Sequence, residues 1–494
     1  MRMPTSLVAL SLLITSCGGS APQADTTSTD TAVTTGVPAS TTVATAPADP
    51  EEPEDLWIEV LDLTSKVDMG GEASFLVASG GGSGQVSVDV SQVFTRGPLA
   101  SSAPTGSYLA NFVLDLNEDD GPAGVAVSTD VPMPGHYGLW VTATDGAGDA
   151  VEEYVEVSVT PTTQGILDPK FPLIGVWIEH QIWHLSPDEI AAVEEVLGHD
   201  LTIVHEPFTG FCTSTCNESG LLTEALGWII EANKVPMMSF EFSEWDWEQV
   251  RPSDIQPTLQ DVVEGQFDDY LSQLASNLSN LGGPLILQIG WEFNIAPAGQ
   301  LGRGPRAFGA GADQYWNETA DLTSHYGDDS VADGPERFSD VWSHVAELFK
   351  VRGADNVILV WSPNWISHPK EEWNTLDAYW PGDLHVDAIG PSIYNYAFED
   401  RTFSSVWAEE LEEFVQAHPD VPIIIRELGS APEGNDPLWH SHALQEIAAN
   451  YPSVSGVVLF SEDNDTGLYA FHNDPEKTDA IREVLDQGYY GYSE

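Results

Sequence analysis

Eight short apolar runs separated by amphipathic stretches constrain this chain more than any other feature. The runs are "PLIGVWIE" (172–179), "LTIVHEPF" (201–208), "VPMMSFEF" (235–242), "PLILQIGWEFN" (284–294), "NVILVWSPN" (356–364), "VDAIGPSIYN" (386–395), "VPIIIRELG" (421–429) and "SGVVLFSED" (455–463). Each is β-rich and nearly continuous in its hydrophobicity, the signature of a strand buried on both faces. Between them lie "SPDEIAAVEEVLG", "LLTEALGWIIEANK", "QFDDYLSQLASNLSNLG", "ERFSDVWSHVAELFKVRG", "FSSVWAEELEEFVQAHP" and "LWHSHALQEIAANYP", with apolar residues at helical spacing. Ser186-Pro187-Asp188-Glu189 supplies a helix start signal. Strands alternating with amphipathic helices imply a parallel sheet. Eight repeats over 165–494 fit a (β/α)8 TIM barrel better than an open doubly wound sheet. No Gly-rich phosphate loop follows the first run, which removes support for a nucleotide fold.

Upstream, residues 55–160 read differently. "LWIEVLDL", "EASFLVAS", "GQVSVDVS", "GSYLANFVLDL", "AGVAVSTD", "GHYGLWVTATD" and "EEYVEVSVTP" are short alternating runs divided by Gly, Pro, Asp and Ser. That spacing predicts an all-β immunoglobulin-like sandwich, closed by a hairpin whose turn uses Asp145-Gly146 and Gly148-Asp149. Alternation puts Trp57 and Trp140 in its core, so a spacer role is favoured over carbohydrate binding through those rings. Acidic "LDLNEDDG" has its glycine one place off an EF-hand spacing and reads as a turn.

The N-terminus reads as an export signal. Arg2 precedes a short apolar stretch, Leu7 to Thr15, too short to span a bilayer. Ile14-Thr15-Ser16-Cys17-Gly18 resembles a bacterial lipobox, making Cys17 the expected lipidation site after a signal peptide of residues 1–17. Residues 18–54, rich in Thr, Ser, Pro and Ala, form the expected disordered linker. The expected location is extracellular, as a cell-surface lipoprotein touching the membrane only through that anchor. Cys212 and Cys216 are the other two cysteines, and in an exported chain they read as a loop disulfide, with free thiols as the alternative.

Charge excludes several partners. Sixteen Lys+Arg against 78 Asp+Glu leave a net charge of −62. Such a field repels nucleic acid, anionic membranes and strongly anionic substrates. It also points to salt adaptation, because screening is needed to relieve the self-repulsion. No cofactor or metal is implied; "SEDNDTG" (461–467) reads as a solvated acidic loop rather than a calcium site. A monomer is expected.

In a (β/α)8 barrel the active site lies at the C-terminal ends of the strands. Glu292 falls near the end of run four and Glu427 near the end of run seven. Runs four and seven face each other across a barrel mouth. Two carboxylates there at ~5 Å separation suit a retaining glycosidase, one protonating the leaving oxygen and the other attacking the anomeric carbon. His205-Glu206 ends run two and is either a substrate contact or a satisfied structural pair. The insertion from Ala296 to Gly334, with Arg303 and Arg306, is expected to form a cleft wall.

Eight β/α units with glutamates ending strands four and seven resemble the clan A glycoside hydrolases. Trp291-Glu292-Phe293-Asn294, with Asn two places after the glutamate, is similar to the Glu-Met-Asn of glycoside hydrolase family 26. "VWSPNW" (360–365), "VDAIGPSIYNY" (386–396) and "PIIIRELGS" (422–430) resemble that family's strands five, six and seven. The resemblance covers 165–494. It implies Glu292 as acid/base, Glu427 as nucleophile, Tyr394 as the hydrogen-bond donor holding the nucleophile ionised, Trp361 as a sugar-stacking wall, and Asn294 orienting the acid/base or a sugar hydroxyl. Trp291 stands where many members carry His, and Phe460 where a Trp platform is common; both are assigned to substrate contact. The implied activity is retaining hydrolysis of a β-1,4-linked polysaccharide, foremost endo-β-1,4-mannanase. Its alternatives are β-glucanase or β-xylanase on the same scaffold, and a non-catalytic polysaccharide-capturing lipoprotein.

Salt adaptation makes a direct prediction. The screening length falls from ~10 Å at 0.1 M to ~3 Å at 1 M salt. The thermal midpoint of the purified protein therefore rises between 0.1 M and 2 M KCl. A midpoint highest at the lowest salt contradicts the reading.

Overall fold

The structure, a computed structural model, describes residues 56–490 apart from 62, 81–84, 95–107, 116–122, 131–132, 179–184, 207–210, 213–217, 241–243, 247–250, 253–258, 296–321, 397–400, 432–435 and 465–466. Cys17, Cys216, Arg303 and Arg306 lie outside the described residues, as does the side chain of Cys212. The expected anchor, disulfide and most of the expected cleft wall fall there too.

Eight strands form the N-terminal part: β1 (Trp57–Leu61), β2 (Lys66–Asp68), β3 (Glu72–Gly80), β4 (Gln85–Phe94), β5 (Tyr108–Asp115), β6 (Ala123–Asp130), β7 (Gly135–Thr144) and β8 (Ala150–Thr160). They make two sheets, ordered β1-β3-β6 and β2-β8-β7-β4-β5. Ala73, Phe75 and Val77 of the first sheet share one core with Val86, Val88, Val141, Ala143, Val157 and Val159 of the second. The β7–β8 turn is built as its sequence predicts. Asp145 Oδ1 accepts the Ala147 and Asp149 amides, both at 2.9 Å, and Gly148 takes φ +93°. One expectation fails. Trp140 is outside the core, half-buried on the opposite face of β7, where it packs on its cross-strand partner Tyr154 at 4.9 Å between ring centroids. Trp57 is likewise half-buried outside that core. The core-facing positions of β7 are Val141 and Ala143, so Trp140 has the parity of the outer face.

The remainder closes into a barrel. Its parallel strands are one (Leu173–Ile178), two (Ile203–Glu206), three (Val235–Phe240), four (Leu285–Trp291), five (Val357–Ser362), six in two pieces (Ala388–Ile389 and Ser392–Asn395), seven (Ile423–Ser430) and eight (Val454–Ser461). Pairing runs 6-5-4-3-2-1-8-7-6, and the first piece of strand six also pairs with strand seven, so the ring has no edge. All eight runs read from the sequence are barrel strands. Ser186 caps the helix Pro187–Leu197 through a reciprocal capping box with Glu189. The unit between strands five and six has no α-helix; two 3-10 turns, Leu376–Tyr379 and Asp383–His385, take its place.

Alternation along the strands sorts the barrel into two packing layers. Leu285, Leu287, Ile289, Val357, Leu359, Trp361, Ile423, Ile425, Val457 and Leu459 join the core between strands and helices. Ile203, Val235, Met237, Ile286, Ile358, Val360, Ile424 and Val458 join the other cluster, which fills the barrel and continues into the sandwich core through Ile166 and Leu173. A helix at Thr163–Leu167 makes this junction, fastened by Ser455 Oγ donating to the Leu167 carbonyl at 2.8 Å. The sandwich thus packs against the end of the barrel where the strands begin, leaving the other end to the candidate chemistry.

This sorting corrects one site residue. Trp361 shares the parity of Val357 and Leu359 and has 0 % exposure. It stacks on Phe414 at 5.0 Å and meets Trp380 edge-on at 5.0 Å, so it packs the barrel against its helices and cannot stack on a sugar. Trp361→Ala is expected to lower stability by about 3–5 kcal/mol through lost packing and a residual cavity. Chemical denaturation measures this; a loss below about 1 kcal/mol contradicts the burial.

Candidate active site

Above the apolar filling, the inside of the barrel turns polar. His205, Ser239, Gln288, Ser362, Ser392 and Arg426 are all buried there. His205 Nε2 meets Ser239 Oγ and Gln288 Nε2, each at 2.8 Å, and Gln288 Nε2 donates to Ser239 Oγ at 2.6 Å. Burial, and next the Arg426 charge, push the His205 pKa well down, so the ring is neutral. His205 is therefore a sealed structural group. Glu206 is also fully buried and accepts the Leu185 amide at 3.0 Å. Both are buried, but not as the satisfied pair expected, since His205 Nδ1 has no hydrogen-bond partner among the described residues.

Strands four and seven each carry a one-residue bulge beside the site. On strand four, Gln288 pairs with Val360 and Trp291 with Ser362, so three steps face two. On strand seven, Ile425 pairs with Val457 and Leu428 with Leu459, again three steps against two. A bulge re-aims the side chains that follow it. Simple alternation would send Trp291 and Glu427 toward the helices with Ile289 and Ile425. The bulges instead turn both toward the barrel mouth.

Glu292 leaves strand four in a left-handed conformation, φ +54°, a costly backbone state for a non-glycine residue. Its amide donates to the Ser362 carbonyl at 2.7 Å, and its Oε1 accepts Asn364 Nδ2 at 3.0 Å. Asn294 stands one step behind. Its Oδ1 accepts the Asn364 amide at 2.8 Å, and its Nδ2 donates to the Asn364 carbonyl at 3.0 Å and to Ser367 Oγ at 3.2 Å. At 1 % exposure it is closed off from a substrate, which corrects its assignment as a substrate contact. These bonds link it to Glu292 only through Asn364.

Glu427, 7 % exposed, has partners on both carboxylate oxygens. Tyr394 Oη donates to Oε2 at 2.5 Å. Arg426 Nη2 donates to Oε1 in a buried ion pair. Burial first, then the Glu292 charge, push the Tyr394 pKa well up, so the phenol keeps its proton and remains a donor. Tyr394 pairs in register with Gly429, where an added Cβ would lie 2.3 Å from Tyr394 Cε1. Only a glycine lets the tyrosine ring lie across strand seven to reach Glu427. Burial pushes the Arg426 pKa down to about 10, opposed by Glu292, so the guanidinium stays charged at neutral pH. Trp291, the chain neighbour of Glu292, lies 5.7 Å from the guanidinium that pairs with Glu427, so the ends of strands four and seven meet at one mouth.

Aromatic rings line the mouth beside Glu427. Phe460 meets Tyr394 and Tyr469 edge-on at 5.5 and 5.6 Å, and Trp177 stacks along it at 6.1 Å. Phe460 is only 6 % exposed, while Trp177 is half-buried, held by its Nε1 donating to Glu462 at 2.6 Å. The apolar face open to a ligand belongs to Trp177 more than to Phe460. Tyr396, with its pKa raised by burial first and Glu292 next, stacks near Tyr394 at 5.8 Å. Sequence reading passed over Asn364, Trp177, Tyr396 and Tyr469, and marked Arg426 only as a cation able to pair with the glutamates. Trp177 was within reach, since it shares the parity of barrel-facing Leu173. Asn364 is the last residue of run five as read from the sequence.

Among the described residues no His, Cys, Asp and Glu group is arranged to hold a metal ion. In the acidic stretch after strand eight, Asp463 Oδ1 accepts the Ala470 amide at 2.9 Å.

No sequence-family profile and no curated protein matches this chain. Solved structures with a similar fold include a family 26 β-mannanase of Bacteroides ovatus, 18% identical, covering 66% of this chain and 92% of that one, with a TM-score of 0.44. The catalytic domain of a family 26 endo-β-1,4-mannanase of Bacillus sp. JAMB-750 is 14% identical over 66% of this chain and 90% of its own, with a TM-score of 0.46. A family 39 glycoside hydrolase of Bacteroides cellulosilyticus is 14% identical over 88% of this chain and 84% of its own, with a TM-score of 0.41. At these scores the likeness carries no argument about chemistry, and the site stands on its own contacts.

Asn364→Ala removes the side-chain hydrogen bond to Glu292 while leaving the Asn364 backbone tied to Asn294. If Glu292 reacts, kcat is expected to fall about tenfold to a hundredfold, at or below the lower end of the usual acid–base contribution because Glu292 itself remains. The thermal midpoint moves little. Unchanged kcat shows that Asn364 does not hold the acid/base.

Proposed function

We propose that this protein is a retaining glycoside hydrolase acting on a β-1,4-linked polysaccharide, with endo-β-1,4-mannanase as its activity. The observation that carries the proposal is the unequal setting of two carboxylates at one barrel mouth. Glu427 is buried, ion-paired and hydrogen-bonded on both oxygens, conditions that favour the ionised form a nucleophile needs. Glu292 is half-exposed, with one side-chain hydrogen bond, at the end of a strand lying across the ring. That division of environments suits an attacking carboxylate and a proton-donating carboxyl.

In the proposed reaction Glu427 attacks the anomeric carbon as Glu292 delivers its proton to the departing glycosidic oxygen. A glycosyl ester forms at Glu427 and the glycosidic bond breaks. Glu292, now ionised, takes a proton from water, whose oxygen attacks the anomeric carbon and frees Glu427. Tyr394 and Arg426 disperse the negative charge that returns to Glu427 in the second step. Trp177 offers its ring to the apolar face of a pyranose. Mannan as the substrate rests on the sequence resemblance to family 26. Trp291 and Phe460, where that family commonly has His and Trp, favour a glucan or xylan as the second reading.

Reducing-sugar release from mannan, glucan and xylan, at high and low salt, tests this. Wild-type protein is expected to release sugar fastest from mannan. Glu292→Gln and Glu427→Gln are each expected to lose at least 1000-fold in kcat, judged by the scale of losses when a nucleophile or its proton partner is removed. Full activity in either variant removes that residue from the chemistry, and no release from any substrate replaces the enzyme with a polysaccharide-binding protein.

A further inference from the structure

We infer that Arg426 and Trp291 act together as positioning residues for Glu427: the indole covers the guanidinium, and the guanidinium fixes the charge and rotation of the carboxylate. The inference rests on the reading of Glu427 as nucleophile.

Arg426 and Glu427 are adjacent, and in a regular strand adjacent side chains point to opposite faces. The bulge of strand seven removes that alternation, so Arg426 reaches back to its own neighbour. Both terminal nitrogens of its fork are used, while the buried Nε has no hydrogen-bond partner among the described residues. Nη1 donates to Ser392 Oγ at 3.0 Å, and Ser392 is the register partner of Glu427 on strand six. Carboxylate, guanidinium and hydroxyl are thereby locked across two strands, with the Arg426 side chain only 3% exposed. A lysine has one ammonium and cannot hold both partners in a fixed plane.

Trp291 supplies the missing wall. Its ring lies 5.7 Å from the Arg426 guanidinium carbon, within cation–π range. It gets there through the separate bulge of strand four. The contact therefore joins the segment that carries Glu292 to the residue that holds Glu427. An indole over a guanidinium excludes water and lowers the local dielectric, so the Arg426 charge acts more strongly on the carboxylate.

The other titratable groups around Glu427 do not substitute for Arg426. Tyr394 and Tyr396 keep their protons, raised by burial first and the Glu292 charge next. Tyr469 packs edge-on against Tyr394 at 5.4 Å and carries no cationic group. His205 is neutral, and Glu292 is a carboxyl, which brings no positive charge in either protonation state. Among the described residues in contact with Glu427, Arg426 is the cation. A neighbouring cation lowers a carboxylate pKa, so its removal raises the Glu427 pKa. A nucleophile must be ionised, and activity is lost as pH falls through its pKa. Without Arg426 the acidic limb of the pH profile must therefore move to higher pH.

The test compares kcat/KM against pH for the full chain and for Arg426→Met, Arg426→Lys, Trp291→Leu and the Arg426→Met/Trp291→Leu double variant. Arg426→Met is expected to move the acidic limb up by about one to three pH units, the usual effect of one opposite charge. Arg426→Lys restores most of that limb but not kcat. Trp291→Leu moves the limb the same way by less, and the double variant matches Arg426→Met, since the indole acts only through the guanidinium. An unmoved limb in Arg426→Met, or additive shifts in the double variant, overturns the inference. Should Arg426→Met not fold, Trp291→Leu decides, and a limb coincident with wild type overturns it. Carbodiimide labelling of Glu427 across pH, read by mass spectrometry, follows its protonated form without turnover and is expected to extend to higher pH in the same variants. Full activity in Glu427→Gln fails the nucleophile reading; an inactive Glu427→Gln with an unmoved Arg426→Met limb fails only the Arg426–Trp291 coupling.

Discussion

A carboxylate taken out of water must be compensated where it sits, and in this barrel the compensation at Glu427 organises the whole mouth. One oxygen is taken by Arg426 and the other by Tyr394. Removing one partner of a buried ion pair is far more costly than the pair is favourable, because the survivor keeps its desolvation penalty. Each partner in turn has its own requirement. Tyr394 reaches Glu427 because Gly429 leaves its ring room, and Arg426 reaches it because strand seven bulges. The site is thus a set of backbone permissions as much as a set of side chains.

The composition of the chain sharpens this point. With 78 acidic and 16 basic residues, most carboxylates have no cation available and can be stable only in water. Placing one of the few arginines fully inside the barrel, against a glutamate, is a concentrated use of positive charge. Arg337, also buried, lies near the start of the helix Asp333–Val351, where it donates to Gln260 and lies over the Tyr326 ring at 4.5 Å. Salt can screen the acidic surface, but it does not reach a pair with side-chain exposures of 3% and 9%. The charge that governs solubility and the charge that governs the site are therefore physically separate.

Much of the architecture was legible because burial on both faces leaves a continuous apolar run, and eight of these admit few alternatives. Addresses were legible too, since a glutamate ending such a run must either pair or react. Contacts were less so. Trp361 was assigned to a ligand by motif, yet its spacing from Val357 and Leu359 already marks it as facing the helices. Asn294 was assigned by the same motif resemblance, whereas the chain folds it under Asn364. In both cases period-two parity or a tertiary hydrogen bond overrode the motif. Trp140 shows the same lesson in the sandwich, where its parity differs from core-facing Val141.

The bulges were hard to read. A bulge adds one residue to one strand of a pair; Gly290 in "QIGW", at φ +61°, is the kind of residue that marks one, whereas nothing in "IREL" distinguishes an extra residue from a regular one. Yet the bulges decide that Trp291 and Glu427 face the mouth while Ile289 and Leu428 do not. Alternation alone would have made Glu427 a buried charge among the helices, without Tyr394 in reach. Its presence there would have been a folding liability rather than a chemical group. What converts the sequence position into a site is a local break in strand regularity, and the two breaks meet where Trp291 covers Arg426.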